Sequence, residues 1–143
     1  MKKTLATIAT ALIMISSMSS FAANKTNPIR SEASAAVLTS YLKATTLGGT
    51  SANTYLFAED FEYSNAANGD RFTKKEYSNF LEAHKGIQFD CETTYEILDE
   101  SGDTAIAKVS MKFDNFTRID YVTLSQSKDG WKVSKVVTGY SKI

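Results

Sequence analysis

The sequence holds one cysteine, one proline, one histidine and one tryptophan among 143 residues, and no excess of charge of either sign. A single thiol cannot close an internal disulfide, so the hydrophobic core must stabilise the chain unaided. One His and one Cys cannot assemble a zinc set, and the acidic residues lack the spacing of a calcium loop, so no metal is expected. No Gly-rich phosphate loop follows a strand, and Gly48-Gly49 reads as a helix stop. No serine stands in a nucleophile-elbow context, and no cofactor is expected. The 16 Lys and Arg are scattered against 16 Asp and Glu. Without a basic stripe, neither nucleic acid nor an anionic membrane surface is the expected partner.

Long apolar runs are also scarce. The one candidate, Leu5 to Ile15, follows Lys2 and Lys3 and precedes Ser20-Phe21-Ala22, which has small residues at the −3 and −1 positions of a cleavage site. It is too short for a membrane span and reads as an export signal. The expected division is a signal peptide over 1–22, a flexible mature N-terminus over 23–30 containing Pro28, and one domain over 31–143. Removal of Lys2 and Lys3 leaves the mature chain two charges negative. No cysteine near the cleavage site and no second apolar run point to a membrane anchor, so the expected product is periplasmic or secreted.

The mature part is organised by periodicity and turn chemistry. Ala35, Leu38, Tyr41 and Leu42, with Val37 beside them, predict an amphipathic helix that Ser31 can cap and Gly48-Gly49 ends. Ser51 to Phe57 reads as a second short helix, and Phe61 to Tyr63 as a short strand. After the turn cluster 65–70, Thr73 and Glu76 form a capping box for a helix to about His84, with Tyr77, Phe80 and Leu81 on its buried stripe. Four long segments follow, Ile87 to Leu98, Thr104 to Asp114, Phe116 to Gln126 and Trp131 to Tyr140. Their short joints predict an antiparallel meander.

The last two segments flank Asp129-Gly130, a dipeptide suited to a tight hairpin. A two-residue turn there pairs Lys128 with Trp131, Gln126 with Val133, Leu124 with Lys135 and Val122 with Val137. One face then gathers Trp131, Val133, Leu124, Val122 and Val137, and Asp120 shares its parity. A one-residue bulge would instead turn Tyr121 inward. The pattern Asp-Tyr-x-x-Leu followed by Asp-Gly-x-Lys-Val and Ser-Lys-Val resembles the C-terminal hairpin of the nuclear transport factor 2-like superfamily. Within it, the chain is similar to small bacterial proteins labelled lumazine-binding and to the SnoaL-like group. The resemblance implies an α+β, cone-shaped fold, a strongly bent antiparallel sheet wrapped around N-terminal helices. It also implies a small-molecule ligand in the cone and a homodimer through the outer face of the sheet. Here that face carries Ile106, Lys108, Ser110 and Lys112.

A carboxylate on an apolar concave face has the setting of a general base or a ligand anchor. Asp120 is therefore the candidate catalytic residue, and pairing with Arg118 or Lys135 is the structural alternative. Tyr41, Tyr63, Tyr95, Tyr121 and Trp131 are the candidate ligand-binding residues, because such rings stack and their polar tips hydrogen-bond. Phe61, Phe80, Phe89, Phe113 and Trp131 have the period of core positions. His84 sits at a helix C-terminus, where its charge suits the dipole. Cys91 reads as a small buried hydrophobe, with Asp90 and Glu92 opposing a reactive thiolate. Three functions stay open: an exported binding domain for a small aromatic or hydrophobic ligand; an isomerase- or dehydratase-like enzyme resembling ketosteroid isomerase, with Asp120 as base; and a dimerisation module.

Overall fold

The computed structural model describes residues 33–48 and 53–142. The export segment, the mature N-terminus and the Ser31 cap lie outside them. Helix α1 (Ser34–Leu47) buries Val37, Leu38, Tyr41, Ala44 and Thr45 on one stripe and starts at Ala33 without a side-chain cap. Gly48 ends it at φ 67°, returning its N–H to the Ala44 carbonyl. A Cβ on Gly48 would lie 1.9 Å from the His84 carbonyl oxygen. Only glycine permits that approach, which docks the end of α1 against the segment after the next long helix. Two backbone bonds complete the junction, Gly86 N–H to Leu47 and Phe89 N–H to Thr46 at 2.8 Å.

A single-turn helix α2 (Asn53–Leu56) leads straight into β1 (Phe57–Asn65), so Phe57 opens a strand and does not close a helix as the spacing predicted. The strand is correspondingly longer than the expected 61–63. A short strand β2 (Arg71–Thr73), which has too few residues to show a period, pairs antiparallel with it. Helix α3 (Lys74–Ala83) carries the expected capping box. Thr73 Oγ1 accepts from the Glu76 N–H, and the Glu76 carboxylate accepts from the Thr73 N–H. Tyr77 and Leu81 are buried, but Phe80 is half-exposed, stacked between Phe72 and His84 on the flank of the helix.

The remaining strands are β3 (Glu92–Ser101), β4 (Thr104–Lys112), β5 (Phe116–Ser127) and β6 (Gly130–Lys142). They form the expected antiparallel meander in a six-stranded sheet of order β2-β1-β6-β5-β4-β3. The sheet is mixed, because β1 runs parallel to β6. Strand β3 starts five residues later than the expected Ile87, because that stretch is spent on the α1 junction.

The final hairpin departs from the predicted register. Ser127 pairs with Gly130, leaving Lys128 and Asp129 as the loop, and Gln126 pairs with Trp131. Gly130, at φ 101°, supplies the left-handed residue after the loop. Leu124 faces Val133, but Thr123 faces Lys135, so Ser134 is an extra residue bulged out of β6. The bulge keeps its hydroxyl busy, donating to the Thr123 carbonyl and accepting from Ser125. Beyond it the parity of β6 is reversed. Val136, not Val137, enters the core, and Thr138 stands opposite Asp120. The bulge lies on β6 and not on β5, so Asp120 keeps the inward parity of Val122 and Leu124, and Tyr121 stays out.

The concave face of the sheet, α1 and α3 close over one core. Ala105, Ala107, Val109, Met111, Val122, Leu124, Val133 and Val136 supply the sheet side. Tyr41, Phe57, Phe61, Tyr63 and Tyr77 fill the space between, with Tyr63 and Tyr77 stacked at 4.6 Å and Phe57 and Tyr77 edge to face at 5.6 Å. Trp131, Phe89, Phe113 and Cys91 pack against this core and are partly buried.

Candidate functional site

The meander and α1 bring four groups onto one buried carboxylate. Asp120, on the inward face of β5, is 0% exposed. Its Oδ2 accepts from the Tyr41 hydroxyl at 2.6 Å and from Arg118 Nη2 at 3.1 Å. Its Oδ1 accepts from Thr138 Oγ1 at 2.7 Å and from Arg118 Nε at 2.9 Å. A carboxylate has about four acceptor positions, and all of them are filled. The pairing is with Arg118, two residues away on the same face; Lys135 points to the other side, opposite Thr123. A general base needs a free acceptor within reach of the proton it takes. Asp120 has none until it gives up a partner.

The surroundings reinforce this frame. Burial, followed by the Asp120 charge, raises the Tyr41 hydroxyl well above its ordinary pKa. Burial pushes Tyr77 up to about 12. Burial raises Tyr63 too. Burial would lower the Arg118 pKa, but the Asp120 carboxylate more than offsets it and holds the guanidinium charged. All three tyrosines are therefore neutral at ordinary pH, and Tyr41 is the one that donates to the ion pair.

Two of the predicted ligand residues, Tyr41 and Tyr63, thus gather at Asp120. The other three do not. Tyr121 lies on the outer face opposite Lys108 and is 46% exposed. Tyr95 shares the inward side with Val109 but sits on edge strand β3 and is 42% exposed. Trp131 is at the opposite end of the hairpin, beside the turn. His84 caps α3, its Nδ1 2.7 Å from the Phe80 carbonyl. Burial and Asp90 raise the Cys91 thiol. Among the described residues no three His, Cys, Asp or Glu side chains gather in a way that could hold a metal, and no helix is long and apolar enough to cross a membrane.

A second group of residues was not singled out from the sequence. Along the inward face of β5, burial falls from Leu124 and Asp120 towards Arg118, whose side chain is 11% exposed, and Phe116, which is 37% exposed. This is the open end of the concave face. Phe116 stacks on Phe113 at 4.7 Å, Phe113 meets Phe89 edge to face at 5.9 Å, and Phe116 meets Tyr140 at 5.8 Å. Tyr140 pairs directly with Arg118 across the strands. Four aromatic rings, Phe89, Phe113, Phe116 and Tyr140, therefore form one arc of contacts, and its last two members flank Arg118 along and across the strands. The signal was present: Phe116 and Arg118 share the parity that placed Asp120 inward.

This arrangement can be set beside known proteins. Residues 30–138 match the family model described as "Putative lumazine-binding". The chain belongs to this family. Its solved structural relatives share the fold. One is a nuclear transport factor 2-like protein of unknown function from Silicibacter pomeroyi, with a TM-score of 0.61 and 17% identity over 76% of this chain and 92% of that one. Another is a nuclear transport factor 2-like protein from Cytophaga hutchinsonii, with a TM-score of 0.61 and 17% identity over 75% of this chain and 93% of that one. A third, from Parabacteroides distasonis, is described as a "putative ketosteroid isomerase", with a TM-score of 0.56 and 10% identity over 80% of this chain and 93% of that one. No curated protein matches the chain. This family member thus has the nuclear transport factor 2-like α+β cone, with Tyr41, Phe57, Phe61, Tyr63 and Tyr77 packed inside it.

Proposed function

We propose that this chain is an exported binding domain that holds a small aromatic ligand at the open end of the cone, against Phe89, Phe113, Phe116 and Tyr140. The observation that carries the reading is the contrast in what is free. Tyr41, Phe57, Phe61, Tyr63 and Tyr77 are sealed inside and the Tyr41 hydroxyl is spent on Asp120, while Phe116 and Tyr140 at the open end are exposed. Aromatic faces left exposed beside a polar anchor are what a flat ligand stacks on. Membership of a lumazine-binding family makes a pteridine dione the first ligand to try. Export rests on the basic and apolar pattern of residues 1–22. An isomerase-like reading has the Tyr41–Asp120 contact in its favour, but it asks a carboxylate with four hydrogen bonds to act as a base. A homodimer through the outer sheet face is also part of the proposal, supported by exposed Ile106 and Tyr121; a monomer mass in sedimentation equilibrium would remove it.

The test is a thermal-unfolding series on the purified protein with lumazine. Binding to the folded state alone raises stability by about 2.7 kcal/mol when the ligand is at a hundred times its dissociation constant. The midpoint is therefore expected to rise with lumazine concentration. No rise at millimolar lumazine would reject lumazine as the ligand.

A further inference from the structure

We propose that Arg118 reads the ligand at this open end, selecting a flat aromatic molecule that presents two adjacent hydrogen-bond acceptors, as a carboxylate does. The inference rests on the binding reading above and adds the chemistry of what is bound. A guanidinium carries five N–H donors arranged as two forks, one through Nε and Nη2 and one through Nη1 and Nη2. Asp120 occupies the first fork, with one bond to each carboxylate oxygen. The second is unspent, since no described residue accepts from Nη1. Among the described residues the only fully buried side-chain polar atom without a partner is Thr45 Oγ1. Nη1, without an acceptor among the described residues, is therefore not fully sealed, although it belongs to a side chain only 11% exposed.

Thr45 adds an independent pointer. It is 4% exposed, one helical turn beyond Tyr41 on α1. The N-terminus of α1 is tied to the far end of the sheet, where Ser34 donates to Glu100. Its C-terminus is tied to Phe89, which belongs to the aromatic arc. Thr45 therefore extends from the Asp120 frame towards the same open end as Arg118 does on β5. An unused N–H pair on β5 and an unpartnered buried hydroxyl on α1 thus both lie on the Phe89 and Phe116 side of the Asp120 frame.

Asp120 is a positioning residue in this scheme. It holds the guanidinium plane from behind and cancels its charge, so the second fork is a fixed, neutralised donor pair. Such a site rewards acceptor geometry more than net charge. A carboxylate supplies two acceptors side by side, and the O4 and N5 atoms of a pteridine dione form a similar pair.

The experiment compares naphthoate, naphthamide and naphthalene methanol by isothermal titration against the wild-type protein, Arg118→Lys and Arg118→Gln. Arg118→Lys keeps a positive charge beside Asp120 but has no fork to offer, and thermal unfolding checks that each variant is folded before titration. The expected result is that wild type binds naphthoate at least about ten-fold more tightly than either neutral probe. In Arg118→Lys that preference falls to about two-fold or less, while naphthalene methanol binds as before. Equal affinity for all three probes in wild type overturns the assignment to acceptor chemistry but leaves the aromatic binding site standing. A naphthoate preference that survives in both variants places the reader elsewhere and overturns it too. Binding of none of the probes rejects this inference and the binding site at the open end together.

Discussion

Leu124 and Val122 at one end of β5, and Phe116 and Arg118 at the other, point to the same side of the same strand and live in different worlds. The first pair is fully sealed under α1 and faces Val133 and Val136. The second pair is only partly covered: Phe116 is 37% exposed, and Arg118 keeps N–H groups that no described residue accepts from. Asp120 stands at the border, with one hydrogen bond reaching back to helix α1, one across to β6 and two forward to Arg118. The difference teaches that this cone divides its labour along a strand. Burial that stabilises the fold is concentrated at the Leu124 end, and the groups with unspent chemistry are left at the Phe116 end.

The strongest way to break that division is at its border. Asp120→Ala leaves a nearly buried guanidinium without its partner, and such losses cost about 3–5 kcal/mol. Urea unfolding is expected to show that drop, and a loss below about 1 kcal/mol would mean the pair is not structural. Next comes a matched pair of truncations. Leu124→Ala is expected to cost about 2–5 kcal/mol by opening a cavity in a sealed region, without changing the chemistry at the open end. Phe116→Ala is expected to cost on the order of 1 kcal/mol, because its ring is partly exposed, while sharply weakening the aromatic probes. The reverse pattern would dissolve the comparison.

A pH series sharpens it further. Tyr77 ionises near 10 when unfolded and at about 12 in the folded protein. Below pH 10 both states hold the proton and nothing is lost. Between about pH 10 and 12 the unfolded chain releases it first, so stability falls by up to about 1.4 kcal/mol per pH unit. Tyr77→Phe is expected to make the alkaline slope shallower. An unchanged slope would show that Tyr77 is not the sealed donor its position implies.

How far these features were legible depends on how local their causes are. The Thr73–Glu76 capping box, the four-strand meander and the inward parity of Asp120 follow from spacings within a few residues, and all are present. The parallel pairing of β1 with β6, the three-residue β2 and the late start of β3 depend on contacts across the fold, so no local period announces them. The hairpin shows the boundary between the two. Its turn was visible, but Asp129-Gly130 serves with a different pair of loop residues, and the Ser134 bulge changes which valine is buried. At the site, reading parity one step further along β5 would have found Phe116 and Arg118. Tyr140 lies beyond the bulge, where counting from the turn gives the wrong side. Tyr95 and Tyr121 were chosen for residue type, and type does not reveal which side of a sheet is covered.

Ser134 works like an inserted letter in a reading frame. Strand β6 is written in a two-letter alternation, and the insertion switches every later residue to the other strand face. Deleting Ser134 removes the extra letter and leaves the pairing as it stands, with Val133 opposite Leu124, Lys135 opposite Thr123 and Thr138 opposite Asp120. What goes is the local bend and added twist that a bulge gives its strand. In the shortened strand Trp131, Val133, Val136 and Thr138 would alternate without a break. The serine hides the register from a count along the sequence and does not set it.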